Sequence, residues 1–193
     1  MGTSAERVRT PRAERTRRAG SGADPRSRAT AVRIVRALAL MSTGLLAGAF
    51  CYGALNVVQA FQAVPLDVRL TFHSALMRMN GPVMQSAMGV AVLSSLVLAI
   101  LLRGTPRRLA GAASALVVTT FVVTRFGNVP INRQMRDWLT TSPSADHAAI
   151  LSRWEMLNYI RSFTALAAFI LVLMVVDRAL TRADGTAYPV EGA

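Results

Sequence analysis

Four stretches of this 193-residue chain are apolar over nearly the length needed to cross a lipid bilayer. A crossing helix takes about 20 mainly apolar residues, because hydrocarbon offers no partner to a backbone N–H or C=O and each must be paired inside the segment. The first stretch runs from about Ala37 to Phe61, broken only by small residues and by Asn56 and Gln59. The second runs from about Gly81 to Leu102, with Asn80 placed to cap it and Pro82 in a first turn that needs no N–H. The third, Leu109 to Val123, extends toward Phe126. The fourth, Ser162 to Val176, continues backward into an amphipathic segment that starts near Ala148, so this helix is expected to protrude from the membrane. The fold class that follows is all-α: a four-helix transmembrane bundle with the lipid bilayer as its first partner.

With 52% hydrophobic and 17% charged residues, the chain is too apolar for an ordinary soluble domain. Its net charge of +12 comes from arginine alone, since the sequence contains no lysine. That usage, with abundant Ala and Val, fits a GC-rich bacterial genome. Ten of the 22 arginines precede residue 37, in a segment poor in large apolar side chains that cannot bury enough surface to offset its own ordering. Residues 1–32 therefore read as a disordered, basic cytoplasmic tail held near anionic lipid, residues 33–178 as the four-helix domain, and 179–193 as a short flexible C-terminal tail. No aromatic residues alternate with the tail's arginines to stack on bases, and nucleic acid is not expected as a partner.

Orientation follows from where arginine sits beside the spans. The tail to Arg36, the turn Arg103 to Arg108, and Arg178 with Arg182 carry fifteen arginines; the opposite side carries seven, offset by four acids. Both termini are expected in the cytoplasm, in a multi-pass protein of the cell membrane. Gly44, Gly48 and Gly53 in the first span, and Gly111, Ala112 and Ala115 in the third, are candidates for close helix contact. Such faces would also serve a homo-oligomer.

Cys51 is the only cysteine, so neither an intrachain disulfide nor a thiolate cluster can form. Phe50 before it excludes a lipoprotein cleavage site, which needs a small residue there, and the first span is expected to be retained. Met77, Met79, Met84 and Met88 gather near His73, but methionine fills cores more often than it binds copper. His73 and His147 lack the spacing of a zinc motif, and there is no phosphate-cradling glycine loop or dinucleotide fingerprint. No metal and no cofactor is expected.

Polar side chains at membrane depth carry a functional expectation. Arg69, His73, Leu76 and Asn80 fall on one helical face. In Asn128-Val129-Pro130-Ile131-Asn132, the proline is expected to interrupt the helix between two amides. Trp154, Asn158 and Arg161 share a face of the fourth helix. All three groups converge on one side, where they could line a single pocket combining a proton acceptor with several oxyanion donors. Plainer readings stand beside this one: Arg153 and Trp154 as interfacial anchors, Asn80 as a cap, His73 as a structural hydrogen bond, and the two Asn as partners of backbone freed by Pro130.

The N-V-P-x-N turn and the W-x-x-x-N-x-x-R helix, with the matching hydropathy over about Ala37 to Val176, resemble the anthrone oxygenase-like family of small four-helix membrane proteins, many catalogued only as a domain of unknown function. The resemblance implies oxidation of a flat apolar aromatic substrate, a polyketide anthrone, to an anthraquinone by dioxygen; such a step needs no redox cofactor, because an anthrone deprotonated at its methylene is an electron-rich anion able to react with oxygen directly. If the chain is such an enzyme, His73 is the expected base, with Arg161, Asn158 and Asn128 on the developing oxyanion and Trp154 stacked on the ring. Asn132 and Asn80 join the substrate-binding set. A carrier for an apolar ligand and a subunit of a larger membrane complex are the non-enzymatic alternatives.

Overall fold

The computed structural model describes residues 25–187, and the side chains of residues 26–181. Helix α1 (Pro25–Tyr52) passes through a π-helical stretch, Gly53–Val57, into α2 (Val58–Gln62). Helix α3 covers Leu66–Leu101 and α4 Thr105–Val122; a second π stretch, Val123–Asn128, leads from α4 into α5 (Val129–Asp137), and α6 covers His147–Ala187. The π stretches do not break the rods, so the bundle has four members: Arg26–Gln62, Leu66–Leu101, Thr105–Asp137 and His147–Thr181, each long and apolar enough to cross a membrane. Among the described residues there is no strand.

The rods overrun a hydrocarbon core of about 30 Å, since 36 helical residues rise about 54 Å. The excess lies at both ends of the bundle, and the end away from Pro25 and Ala187 is here called the distal end. Two longer outer segments were expected there, about Gln62 to Asn80 and Gly127 to Arg161; most of both is helix that prolongs the rods, which are joined at this end by residues 63–65 and 138–146.

Three buried layers fill the bundle. Nearest the termini, Ala39, Ala110 and Ala113 let the helices approach around Leu98, Val172 and Val175. The middle layer joins Leu46, Phe50, Met88 and Val117 to Ala165 and Ala168. The distal layer holds Val58, Phe61, Leu70, Ile131, Met135, Trp138, Leu151 and Trp154. Hydroxyls tie neighbouring rods inside this apolar frame: Thr120 and Thr164 share a 2.8 Å hydrogen bond, and Ser162 Oγ donates to the Phe50 carbonyl at 2.8 Å. Outside, Leu45, Leu55, Leu93, Ile100, Phe126 and Phe163 are each more than 60% exposed. A face of this kind would be a liability in water and is what lipid tails require, so the four helices fit a multi-pass membrane protein.

Several local expectations change. Pro82 lies in the interior of α3, and Asn80 caps nothing because α3 starts at Leu66. Pro130 does not interrupt its rod either; it sits in the first turn of α5, where its missing N–H is harmless, directly after the π stretch. Residues 25–32 and 179–187, expected in the tails, are helical, while the expected disorder of 1–24 and flexibility of 188–193 lie outside the described residues. Of the small residues singled out for helix contact, only Gly44 has a neighbour within 4 Å of an added Cβ, the Phe169 ring at 3.1 Å; Gly48, Gly53 and Gly111 face open space. Ala112 and Ala115 are exposed, and the packed face of α4 is instead Ala110, Ala113, Ser114, Val117 and Thr120. The tightest approach is at Gly127, whose Cβ would come within 2.9 Å of Leu157.

Candidate functional site: a polar-walled cavity between the π stretches

A cavity of about 310 Å³ opens between the rods where the middle layer meets the distal one. Both π stretches border it, through Gly53 and Val57 on one side and Thr124 on the other. The extra residue in a π turn rotates the following side chains relative to an unbroken α-helix, and such turns recur at functional sites. Phe50, Met84 and Met88 form much of the apolar wall. The polar wall is Asn80 and Gln85 from α3, Asn132 from α5, and Asn158 and Arg161 from α6, with Trp154 completing it.

The fourth-helix trio thus lines one space, as its spacing predicts. Arg161 is the charged member, and its guanidinium carbon sits 4.5 Å from the centre of the Phe50 ring. Among the described residues the one ion pair joins Arg69 and Glu155, so no carboxylate neutralises Arg161. Its Nε is buried without a hydrogen-bond partner. Asn158, 1% exposed, donates through Nδ2 to the Trp154 carbonyl at 2.9 Å, one turn back.

His73 and Asn128 are fully buried but do not line the cavity. Trp154 Nε1 can only donate, so the Asn132 atom 2.7 Å away must be its oxygen. His73 Nε2 lies 3.0 Å from that same oxygen and must therefore carry a hydrogen as well. In the neutral ring this leaves the lone pair on Nδ1, which is buried and unpartnered. The imidazole packs edge-on against Trp154, centroids 4.6 Å apart, and tilted on Phe61 at 5.2 Å. His73 thus stands one layer behind the wall, in contact with two of the aromatic rings of the distal core. Asn128 reaches the Trp154 carbonyl with Nδ2 at 3.3 Å, while its Oδ1 stays buried without a partner.

The remaining candidates scatter. Met77, Met84 and Met88 line the cavity, but Met79 is 74% exposed and His73 is absent from the wall, so no copper set gathers. His147 bonds through Nδ1 to the Ser144 carbonyl and borders a separate hollow with Arg69 and Glu155. Among the described residues no group of three His, Cys, Asp or Glu side chains could hold a metal ion. Sequence reasoning passed over Gln85 and Thr124; a lone amide inside an apolar span was the signal that could have found Gln85. It also missed Glu155, which takes hydrogen bonds from Arg69 at 2.9 Å and from Gln62 at 2.7 Å and so clamps three rods over the distal end.

No curated protein and no solved structure matches the chain. A family model described as anthrone oxygenase matches residues 69–171. The match leaves out the first rod and takes in His73, Asn80, the N-V-P-x-N segment and the Trp154–Asn158–Arg161 trio. It spans more than half of the sequence, and the chain belongs to the anthrone oxygenase family.

Proposed function

We propose that this protein is a cofactor-independent oxygenase that admits a flat apolar aromatic molecule from the bilayer and oxidises an activated ring methylene with dioxygen. In the overall reaction the CH₂ group and O₂ become a C=O group and water. The methylene loses a proton, the resulting enolate supplies electrons to dioxygen, and a C–O bond forms. The peroxide so made takes up a proton, then loses the remaining C–H proton and hydroxide as the O–O bond breaks. The substrate supplies every electron, so the balance requires no redox cofactor.

One observation carries this reading: Arg161, a guanidinium with no carboxylate partner, faces an otherwise largely apolar cavity. A cation so placed favours a ligand that becomes anionic, and the enolate oxygen is that anion. The second hydrogen of Asn158 Nδ2 and the amides of Asn80 and Gln85 supply further donors, and Trp154 offers its ring to the substrate plane. His73 acts as a positioning residue, fixing Asn132 through Nε2–H. The methylene proton passes to water at the cavity mouth. A volume of about 310 Å³ falls at the small end of the roughly 300–1,000 Å³ range of ligand sites. We further place both termini in the cytoplasm and the protein in the cell membrane, on the arginine asymmetry between the two ends.

The test is oxygen consumption by the purified, detergent-solubilised protein supplied with a simple anthrone. Turnover above the spontaneous rate that is lost in Arg161→Leu supports the oxygenase. The cavity wall contains no carboxylate and no imidazole to accept a proton, and that observation favours a second reading, a carrier for the same class of molecule. Saturable anthrone binding without product would select the carrier.

A further inference from the structure

Beside the main cavity lies a second hollow of about 160 Å³, in the groove between α3 and α5. Two helical stripes face each other across it. From α3 come Ser74, Arg78 and Gly81, spaced one turn apart; from α5 come Asn132, Arg133 and Arg136. Three arginines, all exposed, thus border one small space. Among the described residues none of them has an ion-pair partner, and Asp137, beside Arg136 in sequence, reaches none of the three. Ser74, only 8% exposed, also borders the hollow with its Oγ buried and unpartnered. A buried hydroxyl without a partner is costly, and three like charges in one groove repel one another; a bound oxyanion would relieve both.

The depth indicates where such an anion comes from. Arg78 precedes Leu101 by 23 residues, a rise of about 35 Å, just beyond a hydrocarbon core of about 30 Å and therefore at headgroup level. Met79 and Val83, 74% and 61% exposed, flank the α3 stripe with apolar surface suited to acyl chains. We propose that this groove binds a phosphate-type oxyanion, carried by an anionic lipid headgroup or free in solution, with Arg78, Arg133 and Arg136 as its cations and Ser74 as its hydroxyl donor. The lipid source fits the depth and the flanking surface. Gly81 and Asn132 border both hollows, so the bound headgroup would sit directly beside the main cavity. The site stands independently of any catalytic activity.

The experiment uses the full-length protein in a neutral detergent. Binding of short-chain phosphatidylglycerol, below its own micelle concentration, is compared with that of the matching phosphatidylcholine, and inorganic phosphate serves as competitor. The expected result is saturable binding with at least tenfold preference for phosphatidylglycerol, weakened at least tenfold in R78Q/R133Q/R136Q and severalfold in S74A. Displacement by inorganic phosphate identifies the bare oxyanion as sufficient; phosphatidylglycerol binding that resists phosphate but disappears in the triple variant identifies the lipid. If the triple variant does not fold, R133Q alone, at an exposed side chain, is expected to weaken binding at least threefold. Absence of saturable binding of both phosphatidylglycerol and inorganic phosphate by the wild type, or unchanged affinity in a folded variant, would overturn the proposal.

Discussion

Trp154 and Asn132 meet across the gap between α6 and α5, the indole Nε1 donating to the amide Oδ1 at 2.7 Å. Because the indole can only donate, this bond orients the amide, and through it the tautomer of His73. Trp154→Phe keeps most of the ring and removes the donor. The variant should lose about 1–2 kcal/mol of stability, visible as earlier thermal unfolding in detergent. Trp154→Ala, which also opens the distal layer, should lose about 3–5 kcal/mol.

His73 separates two roles in a measurable way. If it positions Asn132, His73→Gln, with an amide nitrogen able to donate, should keep a large part of the turnover that His73→Ala loses, and the pH profile of kcat should keep its shape. A profile that loses its acidic limb in both variants would instead identify His73 as the proton acceptor.

Arg161 is where charge matters to the proposed chemistry. Arg161→Leu should lower turnover of an anthrone by about 10²-fold or more, on the scale seen when a single oxyanion donor is removed. Arg161→Lys, which keeps a cation without the planar fork, should fall between that variant and the wild type. Full turnover in Arg161→Leu would remove the enolate-holding role.

The Arg69–Glu155 pair, with side chains 8% and 15% exposed, closes the distal end. Glu155→Gln leaves a largely buried guanidinium without its countercharge and should cost about 3 kcal/mol. Arg69→Met combined with Glu155→Leu should recover much of that loss, because each ion alone carries the desolvation penalty. Thermal unfolding of Arg69→Met, Glu155→Leu and the double variant, read as a cycle, checks this.

Gly127 packs against Leu157 too closely for a Cβ. Gly127→Ala should destabilise the bundle by about 1–3 kcal/mol through overpacking. Leu157→Ala in the same chain should relieve part of that loss, giving a double variant more stable than independent effects would allow.

The four rods are legible in the sequence, because a bilayer imposes one local rule: every backbone group must be paired within its own run of about 20 apolar residues. The shared face of Trp154, Asn158 and Arg161 was legible for the same reason, since spacing along one helix fixes direction. What the sequence could not state was how different rods meet. The π stretches at Gly53–Val57 and Val123–Asn128 have no simple residue signature, yet they turn the walls that border the cavity. Pro82 and Pro130, which read as helix boundaries, are carried within continuous rods: Pro82 lies inside α3, where packing across the bundle outweighs its missing backbone hydrogen bond, and Pro130 sits in the first turn of α5, where its missing N–H is harmless. His73 and Asn128 stand behind the wall rather than in it, since layering between helices depends on the distance and rotation of neighbours, which no periodicity records. The sequence by itself determined the class of solvent and the faces of single helices, both set by short-range chemistry. Only the tertiary structure decided which faces enclose the cavity, because that depends on close packing among residues far apart in the chain.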